Sequence, residues 1–151
     1  MNKKILMGCT LMLALSFLVT SVYAVPPPLD RLPGQRINIY SGEGTTFYTS
    51  NTTHVVHGWQ AAGWKNLTRD QKMEFVYTAQ FYLFINGHRI HKLKTGLWYD
   101  EDADAMYSLR AIVFEPYTFA AGTYSFRGVW YVEVDGVPTG YDTTVTVTVL
   151  E

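Results

Sequence analysis

From Arg36 to the C-terminus the chain alternates apolar and polar positions in short runs, broken by glycine, asparagine, aspartate and proline. A period of two sends successive side chains to opposite faces of a strand, so the pattern predicts half-buried β-strands. The longest run is Ala121 to Val134, AGTYSFRGVWYVEV. Tyr124, Phe126, Gly128, Trp130, Val132 and Val134 fall on one face, and Ser125, Arg127, Val129, Tyr131 and Glu133 on the other. A face that carries Phe126 and Trp130 needs a second sheet to cover it, which makes this stretch a central strand of a sandwich.

The rest of the chain supplies partners for it. Arg36 to Tyr40 alternates Ile37 and Ile39 with polar neighbours and predicts a first strand; Thr45 to Thr49 extends the chain again after the turn at Ser41-Gly42-Glu43-Gly44. Asn51 to Trp59 is β-branched and predicts the next main strand. Thr68 with Gln71 three residues on has capping-box spacing, so Arg69 to Val76 is expected as a short helix crossing from one sheet to the other. Asn86-Gly87 between two alternating runs is a type I′ hairpin signal. Pairing outward from it sets Ile85 opposite His88, Phe84 opposite Arg89, Leu83 opposite Ile90 and Tyr82 opposite His91. Phe81, Leu83, Ile85 and Ile90 would then share the core face, with an exposed cation–π contact between Phe84 and Arg89.

A second hairpin is expected where Gly96–Tyr99 and Met106–Phe114 flank the acidic run Asp100 to Asp104. Tyr107, Leu109, Ala111 and Val113 make one alternating face, and Pro116 ends the strand because it cannot donate to a ladder. After an Asp135-Gly136 turn, Thr143 to Val149 sets valines against threonines, as in an edge strand with one buried side.

About seven short strands with turn signals between them predict an all-β, antiparallel sandwich. One motif is more specific. Phe119-Ala120-Ala121-Gly122-Thr123-Tyr124 resembles the E–F corner of immunoglobulin-like and fibronectin type III-like domains, and the Thr/Val strand resembles their last strand. The resemblance implies that the Tyr124 hydroxyl bonds back to the backbone near the corner. It also makes Ala121–Val134 strand F, with Trp130 in the core between the sheets. The paired cysteines of antibody-type domains are missing. Domains of this class mostly bind, space or brace, and the fold does not choose among these.

The N-terminus reads as an export signal. Lys3 and Lys4 precede the mostly apolar Ile5 to Val19, and Val22-Tyr23-Ala24 is a small-x-small cleavage site. Residues 1–24 are therefore expected as a signal peptide, 25–34 as a proline-rich leader (VPPPLDRLPG) and 35–151 as the sandwich domain, with no membrane span after cleavage. Cys9, the single cysteine, follows Leu6-Met7-Gly8 as in a lipoprotein box, but the apolar run continues past it. Cleavage would leave no cysteine for a disulfide or a thiolate site. The chain has 12 Lys and Arg against 13 Asp and Glu, and two of the lysines lie in the signal. The remainder is weakly acidic, without the basic patch that nucleic acid requires. A secreted, periplasmic or cell-surface location follows.

Candidate chemistry is sparse. His54/His57 and His88/His91 are each spaced by three, which on a strand puts the two rings on opposite faces, so surface or half-buried histidines are expected. Asp100, Asp102 and Asp104 have oxygen-ligand spacing for a weak calcium site, although Ala105 and Ala111 stand where an EF-hand needs glycine and glutamate. No nucleophile elbow, phosphate loop or zincin motif occurs, so no catalytic residue is expected. Trp59, Trp64 and Trp98 fall near strand ends or loops, where rings can stack on sugars. Asn51-Thr52-Thr53 and Asn66-Leu67-Thr68 fit the glycosylation acceptor pattern. The expected role is a non-catalytic module that binds a protein partner, with carbohydrate recognition through the three tryptophans as the alternative.

Overall fold

The computed structural model describes residues 32–40 and 42–151; the expected signal peptide and the leader as far as Arg31 lie outside that range. The described residues form β1 (Gln35–Arg36), β2 (Thr45–Tyr48), β3 (Thr53–Ala62), a 3-10 turn (Trp64–Asn66), helix α1 (Arg69–Thr78), β4 (Gln80–Ile85), β5 (His88–Ile90), β6 (Lys94–Asp100), β7 (Ala105–Phe114), β8 (Gly122–Val134) and β9 (Val137–Leu150). They assemble into a four-stranded sheet, β1-β3-β7-β6, and a five-stranded sheet, β2-β9-β8-β4-β5. The molecule is an all-β sandwich, as the alternation requires, and β8 is the middle strand of its sheet.

Two expectations change. Nine strands form among the described residues rather than about seven, and the sheets are mixed: β1 pairs with β3 and β2 with β9 in parallel. Hairpins enforce antiparallel neighbours, but nothing ties β2 to β9 at close range, so either direction is open to them. The expected strand Arg36–Tyr40 shrinks to Gln35–Arg36. Ile37 and Ile39 are fully buried, and the Ile37 N–H donates to His54 O at 2.8 Å. Their alternation therefore records insertion into the core as the chain passes from one sheet to the other. Ile39 needs room there, and Gly128 supplies it: a Cβ at Gly128 would lie 2.7 Å from Ile39 Cδ1 and 3.1 Å from Phe81.

The local signals hold. Thr68 and Gln71 form the full capping box at the start of α1, which joins β3 of one sheet to β4 of the other. Leu83↔Ile90, Phe84↔Arg89 and Ile85↔His88 pair as expected, around Asn86 and Gly87 at φ 48° and 79°. The ladder stops at Ile90, short of His91. The cation–π contacts are redistributed: Arg89 lies over Tyr82 at 4.4 Å, and Phe84 receives Arg127 from β8 at 5.5 Å. Strand β9 reaches back to the Asp135-Gly136 turn, and β2 covers only Thr45↔Val147 through Tyr48↔Leu150. It is thus an edge along its first part alone.

Phe126, Val132, Leu83, Val55 and Val147 fill the space between the sheets. On β7 the expected alternating face exists but points outward. Leu109 and Ala111 join Val56 in a separate cluster with Trp98, Tyr107 and Leu32, whereas Phe114, Met106 and Ile112 pack into the main core.

Candidate functional site

Strand β8 delivers two structural residues. The Tyr124 hydroxyl donates to Ala120 O at 3.0 Å, closing the corner, and Phe119 packs edge-on against Tyr124 at 5.2 Å. Trp130 is only 6% exposed. Around its indole stand Tyr40 (4.8 Å between centroids), His57 (4.4 Å) and Tyr141 (4.4 Å), with Phe81 and Trp59 farther out. Tyr141 is itself exposed, so this ring cluster runs from the core to the surface at the open part of β9.

His57 is the unexpected member. The spacing correctly divides His54 and His57 between two faces, but both are buried, because β3 is an interior strand flanked by β1 and β7. His54 Nδ1 bonds to Pro33 O at 3.0 Å, beneath the segment that leads into β1. The His57 Nδ1 shares a hydrogen bond with the Tyr40 hydroxyl, while its Nε2 is buried with no partner among the described residues. Burial holds its pKa well below the ordinary imidazole value, and the Arg110 and Arg36 charges push the same way. Arg110 crosses from β7 opposite His57 and donates to Ala79 O at 3.2 Å, Leu109 O at 2.9 Å and Ser108 Oγ at 3.1 Å. The result is a neutral imidazole under cationic influence, unlike a general base oriented by a carboxylate.

The three loop tryptophans go to three different places. Trp59 points into the main core and is 8% exposed, with its indole N–H unpartnered among the described residues. Trp64 packs edge-on against Phe75 of α1 at 6.0 Å, with Lys72 over its ring. Trp98 lies on the outer face of the four-stranded sheet against Tyr107 at 5.1 Å. They share no single surface.

The aspartates are similarly divided. Asp100 Oδ1 accepts the N–H groups of Asp102 and Ala103, forming the tip of the hairpin. Asp104 Oδ1 accepts the Tyr99 hydroxyl at 2.8 Å and the Lys65 N–H at 3.1 Å, and the Tyr99 bond is the main reason its pKa is lowered. Among the described residues no three His, Cys, Asp or Glu side chains gather as a metal-holding group, and no helix is long and apolar enough to cross a membrane.

The remaining candidate surface is an edge. Of the four strands that end the two sheets, β1 has two residues, β5 three and β2 four, whereas β6 has seven. Its first four residues are exposed, and the fourth, Leu97 at the middle of the strand, is 54% exposed. An edge of that length leaves a row of backbone donors and acceptors to be paired. The sequence pattern singled out Trp98 and Asp100 but passed over Leu97, the residue just before Trp98. Nothing in a short alternating run marks which strand will lie at the rim. Comparison with protein-family models, with curated proteins and with solved structures gives no match.

Proposed function

We propose that this chain is an exported immunoglobulin-like module that binds a protein partner on or outside the cell and carries out no catalysis. The observation that carries the reading is the open β6 edge, seven residues long with Leu97 half-exposed in its middle. Exposed sheet edges accept a strand from another protein, main-chain hydrogen bonds giving affinity and alternate side chains specificity. The immunoglobulin-like assignment is supported by the pairing order, in which β1-β3-β7-β6 stands for strands A-B-E-D and β9-β8-β4-β5 for G-F-C-C′. It is supported again by the tyrosine corner at the entry to β8. Export rests on the N-terminal sequence.

Carbohydrate recognition has less support, because Trp59, Trp64 and Trp98 are divided among core, helix and outer face. The test immobilises the full chain and presents it with the exported proteins of its source and, in parallel, with a glycan array. A protein should be retained, and Leu97→Lys should weaken that retention by about tenfold or more, the scale of one lost interface anchor. Glycan binding without any retained protein would overturn the reading.

A further inference from the structure

The sequence of β6 and its flanks, Lys92-Leu93-Lys94-Thr95-Gly96-Leu97-Trp98-Tyr99-Asp100-Glu101-Asp102, is basic at one end, acidic at the other and uncharged in the middle. A strand of that kind is complementary to itself when reversed. We propose that β6 pairs antiparallel with β6 of a second copy of this chain about a two-fold axis at Leu97, joining the two four-stranded sheets into one of eight strands.

The register follows from the charges. Centring the pair on Leu97 sets Lys94 opposite Asp100 of the second copy, twice over by symmetry, and carries Lys92 toward Asp102. A shift by two residues in one direction sets Lys94 opposite Trp98, and in the other carries it to Asp102, past the end of β6 at Asp100. The faces agree as well. Thr95, Leu97 and Tyr99 lie on the side of Ser108 and Met106, which face the main core, and Lys94, Gly96, Trp98 and Asp100 lie on the outer side with Leu109 and Tyr107. The register joins even-numbered to even-numbered positions, so like faces meet. Leu97 then meets its own mate and buries an exposed apolar side chain at the axis. Trp98 meets Gly96, whose missing side chain leaves open space: a Cβ there would touch nothing within 4 Å. An aromatic ring laid over a cross-strand glycine is a known way to restore packing at such a position. The edge also lacks the usual guards against pairing. It contains no proline, and its charges are confined to the two ends, whereas the open part of β9 carries Pro138 and Asp142.

This inference rests on the protein-binding reading and names its partner. The first test uses the full-length chain with Cys9→Ser, which removes its one native thiol. Leu97→Cys should form a disulfide-linked dimer under mild oxidation, because directly opposed Cβ atoms stand about 5 Å apart. Thr95→Cys should not, since its mate would sit about 13 Å away along the strand. The second test uses sedimentation. Lys94→Glu and Asp100→Lys should each raise the dimer dissociation constant about tenfold or more, by setting like charges opposite each other twice. Mixing these two variants should restore pairing as a heterodimer, because every facing pair is then of opposite sign. A loss caused by damage to the hairpin tip at Asp100 would not be rescued. A chain that stays monomeric on the order of 0.1 mM, or a dimer that neither cross-links through Leu97→Cys nor weakens with Lys94→Glu and Asp100→Lys, overturns the proposal. If that monomer still retains a different exported protein through β6, the protein-binding reading stands; if it retains none, both fall.

Discussion

Tyr124 and Trp130 lie six positions apart on one strand and hold the sandwich in different ways. The Tyr124 ring is half-buried and its hydroxyl makes one hydrogen bond, to Ala120 O. Removing the oxygen forfeits that bond and little packing, so Tyr124→Phe should cost about 1 kcal/mol in chemical denaturation. The Trp130 indole is enclosed by Tyr40, His57, Phe81 and Tyr141. Truncating it empties space that both sheets have shaped, so Trp130→Ala should cost roughly 3–5 kcal/mol. Equal losses for the two variants would contradict this division of roles. Both residues were legible in the sequence because alternation along Ala121–Val134 gives the face, and glycine before tyrosine gives the corner. Tyr40, His57 and Tyr141 were not, because they come from three separate segments that meet only at the Trp130 ring.

At the scale of elements, the β8–β9 hairpin is held at its tip by α1. Glu74 accepts the N–H groups of Asp135 and Gly136 at 2.7 and 2.8 Å, and Gln71 donates to the Asp135 carboxylate at 3.3 Å. Thr78 adds a hydroxyl that accepts the Glu133 N–H at 2.8 Å. The helix buries only Phe75, so its attachment depends on the cap and these polar contacts more than on an apolar stripe. Thr68→Ala should therefore cost about 1 kcal/mol. Glu74→Ala should cost about as much or more, since it frees two turn donors at once. Hydrogen exchange offers a sharper readout: Asp135 and Gly136 should lose protection in Glu74→Ala and keep it in Tyr124→Phe. The capping box was visible in Thr68 and Gln71, which are neighbours in sequence. The Glu74 clasp spans 61 and 62 positions and had no local sign.

Across the whole molecule, the packing of one sheet on the other passes through a neutral histidine. His57 sits between Tyr40, Phe81 and Trp130, with Arg110 and Arg36 as the charges that bear on it. Its folded pKa is depressed below that of the unfolded chain. Below about pH 6.5 the unfolded state therefore binds a proton that the folded state refuses, and stability falls as pH falls. Above that range His57 contributes no pH dependence. Measured against His57→Leu, which removes the titration, the wild type should lose up to about 1.4 kcal/mol per pH unit between pH 6 and 5. Parallel stability curves for the two proteins over that interval would show that His57 takes up its proton inside the folded sandwich.

Sequence alone determined the features that depend on neighbours a few residues apart: the strand alternation, the Asn86-Gly87 hairpin and its register, the helix cap, and the corner before β8. Turn chemistry and periodicity act at that range, so each could be read before any fold was known. A period of two says that a strand has two faces and leaves open which one meets the other sheet. Tertiary structure made that choice on β7, turning Leu109 and Ala111 outward and Phe114 inward, and it placed His57 inside rather than at the surface. It also set the order of strands, and with it the parallel pairs at β1 and β2 and the open rim at β6. An edge is a property of the finished sheet. Hence Leu97, the residue on which the proposed interface turns, acquires its meaning only once β7 has taken β6 on one side and left the other unpaired.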